Sequence, residues 1–145
     1  MIYRKDIHRG RFIPKNPKKY RGNLSQVIYR SGYELKFMNW CDKNNDVLEW
    51  ASEPIAIPYR SPLDRRLHRY YPDFYMKTTT GTYIIEVKPS RFTKPPEQRR
   101  KTKRYLAEIA SYGVNQAKWK SAQEFCDDRD WEFMIVTEKE LGIYN

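Results

Sequence analysis

HRYYPDFYMKTTTGTYIIEVK, residues 68–88, is the stretch on which the fold turns. His68–Met76 and Thr82–Lys88 are rich in aromatic and β-branched residues, the composition of strands, and Thr78–Gly81 supplies a turn between them. Pro72-Asp73 falls inside the first strand, and Glu86-Val87-Lys88 ends the second. Side chains alternate across a strand, so Glu86 and Lys88 share one face while Val87 points the other way, into the core. Pairing the two strands as a hairpin brings Asp73 and Glu86 toward one point. Both acids are out of place in aromatic and apolar strands, where such residues are depleted.

Upstream of the hairpin, Val47–Ala51 and Ile55–Tyr59 read as two further strands, followed by a turn at Ser61–Arg66. Ser31-Gly-Tyr-Glu34 has the form of a capping box opening a helix. Tyr33, Phe37, Trp40 and Cys41 fall on one face of that helix, which Asn44–Asp46 ends. Downstream, Arg99–Asp127 is helical in pattern, with Tyr105, Ile109, Tyr112, Ala117, Trp119, Ala122 and Phe125 apolar and Gly113 splitting or bending it. Trp131–Val136 is a continuous apolar run of the kind a buried strand carries. Thr137–Glu140 is a second capping box, starting a short last helix. This order predicts an α/β fold, a mixed central β-sheet flanked by helices. The strands before the long helix are expected to be antiparallel. The strand after it should run parallel to the strand before it, through a right-handed crossover.

The chain has 145 residues, one domain's worth, and 39% hydrophobic with 15% aromatic content is too rich for a disordered chain. No apolar run is long enough for a membrane span, and the N-terminus lacks the apolar segment of a secretory signal. Cys41 and Cys126 are too few and too far apart for a disulfide scaffold or a cysteine zinc site, and read as reduced thiols. Lys plus Arg outnumber Asp plus Glu by 28 to 18, a net charge of +10 that favours a polyanionic partner. Residues 1–21 hold Arg4, Lys5, Arg9, Arg11, Lys15, Lys18, Lys19 and Arg21 against one acid, with Pro14 and Pro17 breaking any helix. They read as a flexible or extended basic arm, of which residues 1–13 are dispensable for the fold, ahead of a single domain over residues 22–145. A second basic cluster, Arg91, Lys94, Arg99, Arg100, Lys101, Lys103 and Arg104, begins as a loop at Pro95-Pro96 and runs into the long helix. Charge runs also serve solubility, but two clusters of one sign suit phosphate contacts, with Lys18, Lys19, Arg21, Arg99 and Arg100 as candidates.

Phosphodiester hydrolysis calls for a hard cation, and Mg²⁺ takes one or two protein carboxylates and keeps waters on its other positions. Asp73 and Glu86 provide that ligand set, with the Val87 carbonyl as a third oxygen; Mn²⁺ can substitute. Lys88 is placed to orient the attacking water. Glu34 either holds a metal-bound water or a second ion, or only caps its own helix. Arg30 and Arg60 recur in two Tyr-Arg-Ser triplets, as phosphate contacts or as ordinary surface arginines. Gln116 and Lys118, on the long helix, can face the cleft. His8 and His68 lack a partner at metal-ligand spacing and read as surface residues, and the four tryptophans read as core. No Ser-His-Asp order, Gly-rich phosphate loop or HExxH motif is present, which disfavours acyl hydrolases, P-loop NTPases and HExxH metalloproteases, and no small-molecule cofactor is expected.

Pro72-Asp73 followed by Glu86-x-Lys88, after a helix carrying Glu34, resembles the PD-(D/E)XK nuclease superfamily. Tyr29-Arg-Ser-x-x-Glu34, Ile57-Pro-Tyr-Arg-Ser61, Tyr71-Pro-Asp-Phe74, Ile85-Glu-Val-Lys-Pro89 and Asn115-x-Ala-Lys-Trp119 together resemble the head-completion nucleases of tailed bacteriophages. A more distant likeness is to TnsA-type transposon end-cleaving endonucleases. The similarity runs over about residues 14–142. It implies a restriction-endonuclease-like core and a metal-dependent DNA endonuclease, with Glu34, Asp73, Glu86 and Lys88 as its catalytic set. It further implies action at the packaged genome end or on the filled capsid, with capsid or neck proteins as partners, in the cytoplasm of an infected bacterium or in the virion. The competing reading is a non-enzymatic DNA-binding structural protein of the capsid neck. Carboxylates clustered near phosphates would repel them, which favours the enzyme. An RNA endonuclease would share the same chemistry.

Overall fold

The computed structural model describes residues 9–143, and in it the expected strand over 68–76 is broken in two at Tyr71-Pro72-Asp73. In chain order the elements are β1 (Gly10–Arg11), β2 (Ile28–Tyr29), α1 (Gly32–Lys43), β3 (Val47–Ser52), β4 (Ile57–Arg60), β5 (Leu67–Tyr70), β6 (Phe74–Thr78), β7 (Thr82–Val87), α2 (Lys103–Asp127), β8 (Glu132–Val136) and α3 (Glu138–Leu141), with short 3₁₀ turns at Pro17–Lys19, Leu24–Gln26 and Ser90–Thr93. Proline fixes its own φ and has no N–H to donate to a ladder, so Pro72 is a natural place for a strand to change partners. Before the break, β5 pairs with β4 as a separate antiparallel hairpin. After it, β6 joins the central sheet, whose order is β3-β6-β7-β8. The β3–β6 and β6–β7 pairs are antiparallel and β7–β8 is parallel, the mixed sheet that the sequence predicts.

Two layers cover this sheet. On one side α1 packs Phe37, Met38 and Cys41 against Phe74, Met76, Ile85 and Val87, with Trp50 fully buried among them. On the other side α2 packs Trp119 and Ala122 against Ile57, Tyr59 and Tyr70 of the β4–β5 hairpin and against Phe133 and Ile135 of β8. Strand β7, covered on both faces, is therefore buried from Ile84 through Val87.

Four expectations are corrected. Strand β8 is not buried throughout. It is an edge strand, with Phe133 and Ile135 turned to α2 while Glu132 and Met134 are exposed. Its other face opens onto a groove of about 670 Å³ lined by Phe37, Trp40, Met76 and Met134 among others, which leaves Trp40 47% exposed rather than in the core. Helix α2 begins only at Lys103, capped by the Thr102 hydroxyl, so Arg99 and Arg100 lie in the loop before it. It also runs through Gly113 without interruption. A Cβ added there meets only Pro62, at an ordinary 3.9 Å, and an interior helical glycine costs about 0.5–1 kcal/mol relative to alanine. Gly113→Ala is expected to raise the melting temperature by about 2–4 °C in calorimetry; an unchanged or lower value would show that the helix needs the missing side chain.

The described part of the basic arm is extended but fastened to the domain. β1 pairs with β2, Phe12 is 6% exposed in the core beside Trp50, and Tyr20 bridges the outer edge of β3 at Trp50. Asp42, at the end of α1 and buried, accepts the Lys15 and Asn16 amides, while Lys19 Nζ donates to the carbonyls of Cys41, Asp42 and Asn44. Lys19 thus satisfies the orphan carbonyls of a helix C-terminus. Removal of residues 1–13 would take out Phe12 and β1; residues 1–8 lie outside the described residues. No helix among the described residues is long and apolar enough to cross a membrane.

Candidate active site

The β6–β7 register, Phe74 opposite Ile85, sets Asp73 one step beyond the ladder and beside Glu86 and Val87. Asp73 sits in the bend before β6 rather than within a strand, so its place there is set by the turn and not by an anomaly of composition. It is held at both ends. Its carbonyl accepts the Glu53 amide at 2.8 Å and its Oδ2 accepts the Val87 amide at 2.8 Å. The side chain of Val87 points into the α1 core, as alternation predicts.

Glu86 is 7% exposed and faces the α2 side, in register with Ile135. Its Oε1 accepts the Tyr70 hydroxyl at 2.5 Å, and its Oε2 lies 3.3 Å from Lys88 Nζ. Lys88 is itself fixed through its amide, which donates to Val136 O at 2.9 Å. Glu34 comes from the first turn of α1. Ser31 Oγ caps the helix by accepting the Glu34 amide, but the Glu34 carboxylate does not return to the Ser31 amide as a full capping box requires. It accepts the Arg30 amide instead, at 3.0 Å.

The electrostatics follow from this crowding. Burial, then the carboxylates of Glu86 and Glu34, push the Asp73 carboxyl well above the usual range, against the Val87 amide and Lys88, which favour its charge. Burial also raises Glu34, helped by the charges of Glu53 and Glu86 and opposed by the Arg30 amide and guanidinium. The Tyr70 phenol is raised, first by burial and then by the Glu86 charge, so it stays a hydrogen-bond donor. Among the described residues no three His, Cys, Asp or Glu side chains form a ready-made ion cage. The donor set nonetheless fits an oxygen-seeking divalent cation. Two carboxylates repel each other across a small space, and such a cation takes few protein ligands and keeps its waters.

Apart from Arg30, whose amide meets Glu34, and Lys118, the other candidates are dispersed. Arg30 pairs with Glu53, Arg21 with Glu49 at 2.7 Å, and Arg99 with Glu108 while stacking on Tyr105. Arg60 donates to the Arg65 carbonyl at 2.6 Å, closing the turn of the β4–β5 hairpin. Lys18 and Arg100 are exposed, and so is Gln116. Lys118 does reach the site region, its ammonium 5.9 Å from the Tyr59 ring and 5.7 Å from the Tyr70 ring. His68, on the exposed hairpin, is paired with Asp64 at 2.8 Å. Sequence reasoning missed Tyr70 and Glu53. Tyr70 is one of many aromatics in its segment, and only tertiary pairing distinguishes it. Glu53 precedes Pro54, and its φ of 46°, a strained conformation for a residue with a side chain, is visible only in the fold.

Sheet order, the parallel β7–β8 pair linked through a long helix, and the flanking helices define a restriction-endonuclease-like α/β domain. Residues 44–138, well over half of the chain, match the family described as the TnsA-like endonuclease N-terminal domain, and the chain belongs to that family. It is also 38% identical over 138 residues to the head completion nuclease of Enterobacteria phage T4, a similarity covering 91% of this chain and 92% of that protein. No solved structure matches significantly.

Proposed function

We propose that the chain is a metal-dependent DNA endonuclease of the PD-(D/E)XK type that acts in phage head completion, with Mg²⁺ as its ion and Mn²⁺ able to replace it. The observation that carries this reading is the meeting of Asp73, Glu86 and Lys88 at the ends of β6 and β7, within 3.3 Å for the last two. Family membership and the similarity to the phage T4 head completion nuclease support it, and a net charge of +10 suits a nucleic-acid substrate. Asp73, Glu86 and the Val87 carbonyl would hold the cation. Bound there, it would supply charge stabilisation at the scissile phosphate and a more acidic water. The chain's own residues do the rest. Val87 N–H keeps the Asp73 carboxylate in place, and the Tyr70 hydroxyl holds Glu86 through Oε1, with Lys88 3.3 Å from Oε2. Lys88 orients the attacking water and donates to the developing negative charge. Glu34, turned in from α1, receives a proton or holds a water. Lys18, Arg100, Lys118 and the paired arginines Arg21, Arg30, Arg60 and Arg99 contact backbone phosphates without reading bases. On this reading the protein works in the infected cell on DNA at the filled head, beside capsid or neck proteins.

Plasmid nicking tests it. Supercoiled DNA should be nicked with Mg²⁺ or Mn²⁺, spared with EDTA, and bound but scarcely cut with Ca²⁺. Cleavage by highly purified protein in EDTA would overturn the metal dependence. Absence of cleavage of any DNA form in Mg²⁺, with binding intact, would favour the capsid-neck structural protein. Cutting of RNA but not DNA would move the substrate assignment.

A further inference from the structure

The β4–β5 hairpin lies outside the central sheet, yet its last residue enters the proposed site. Tyr70 is 4% exposed, donates its hydroxyl to Glu86 Oε1 at 2.5 Å, and presents a ring face to Lys118 Nζ at 5.7 Å. Tyr59, on β4 two residues beyond Ile57, the register partner of Tyr70, offers a second ring to the same ammonium at 5.9 Å. Beneath them Trp119 and Ala122 of α2 complete the packing. One aromatic side chain thus touches groups from two separate elements: a carboxylate on β7 and a cation on α2.

We propose that Tyr70 is a positioning residue with two separable ends, its hydroxyl fixing the orientation of Glu86 and its ring holding the Lys118 ammonium beside the site for a DNA phosphate. This rests on the nuclease reading of the site. With Oε1 fixed by Tyr70 and Oε2 facing Lys88, Glu86 has little freedom to turn away. Hydrogen bonds behind a metal-binding carboxylate commonly change metal affinity by about 10–100-fold. A lysine ammonium within about 6 Å of ring faces is drawn to them, which limits the volume its flexible stem would otherwise explore.

The ends can be tested apart. Tyr70→Phe keeps the ring and removes the hydroxyl. It should weaken Mg²⁺ and Ca²⁺ binding by about 10–100-fold in calorimetry and lower kcat. DNA affinity in EDTA and its salt dependence should stay at wild-type values. Lys118→Met should do the reverse, with normal metal affinity, a raised KM, and a slope of log K against log salt smaller by about 0.9. Tyr70→Leu should show both defects, and Tyr70→Phe combined with Lys118→Met should reproduce them together, which covers the case in which the leucine variant does not fold. Wild-type metal affinity in Tyr70→Phe would overturn the hydroxyl end. A salt slope in Tyr70→Leu or Lys118→Met equal to that of wild type would overturn the ring end. Wild-type protein that neither binds Mg²⁺ nor cleaves would instead sink the nuclease reading itself, so the two failures are distinct.

Discussion

Asp73→Asn and Glu86→Gln are each expected to slow single-turnover DNA cleavage by at least about 10³-fold, the several kcal/mol that a correctly held cation contributes to phosphoryl chemistry. Each change keeps shape and removes one charged oxygen. In Asp73→Asn the side-chain amide oxygen can still accept the Val87 N–H, which lies 2.8 Å from Asp73 Oδ2 in the native chain, so the loss cannot be blamed on a broken turn. DNA binding should survive, and tighten slightly where a negative charge is lost beside the phosphate. The Asp73→Asn variant carries a second, opposite signature. Because burial and the Glu86 and Glu34 charges raise this carboxyl in the folded chain, its contribution to stability is present at acid pH and is lost as pH rises through the folded value. The asparagine has no proton to lose there. Without divalent ions Asp73→Asn should therefore melt above wild type at neutral pH, with the gap closing toward acid pH. Added Mg²⁺ should raise the melting point of wild type by mass action and leave the variant unmoved. Wild-type cleavage by either variant would remove Asp73 and Glu86 from the active site. A variant that melts below wild type at neutral pH would show that the acid is not held under repulsion.

Much of this arrangement is legible in the sequence because periodicity and turn chemistry are local. The alternation that sends Val87 inward and leaves Glu86 beside Lys88 needs only the strand. The parallel β7–β8 pair follows from a strand, a long helix and another strand in that order. What is not legible depends on partners far away in sequence. Nothing in His68–Met76 reveals that its two halves pair with different strands, although Pro72 marks where they part. An apolar run such as Phe133–Val136 reads as buried, whereas exposure depends on whether another strand lies beyond it. The same limit hides the use of charges. Lys19 belongs by composition to the basic arm, but three carbonyls at the end of α1 engage it, and Arg60 closes a turn. Glu34 shows both sides of the problem. Its position three residues after Ser31 predicts a cap, and only the fold turns its carboxylate to the Arg30 amide, where its charge helps to raise the Asp73 carboxyl.

Lys88→Ala should separate metal binding from chemistry. Lys88 is not an oxygen donor, and its ammonium lies 3.3 Å from Glu86 Oε2, where it offsets part of the negative charge that would attract a cation. Its removal leaves Asp73 and Glu86 in place and takes away a positive neighbour, so Mg²⁺ affinity in calorimetry should hold or rise slightly. Cleavage should still fall by about 10²-fold or more, the scale of a lost group that orients a nucleophile or meets developing charge. The loss should appear in single-turnover kcat rather than in KM, because one ammonium tucked beside Glu86 adds little to a DNA contact spread over many phosphates. Lys88→Arg is the control. It keeps the charge but replaces a compact ammonium with a planar fork, so charge alone would restore activity and a positioned donor would not. Metal affinity that collapses in Lys88→Ala would mean that the lysine holds Glu86 in place rather than acting on the water. Cleavage that stays at wild-type rate would leave the pair at the end of β7 as an ordinary ion pair, with the chemistry carried by Asp73, Glu86 and Glu34 alone.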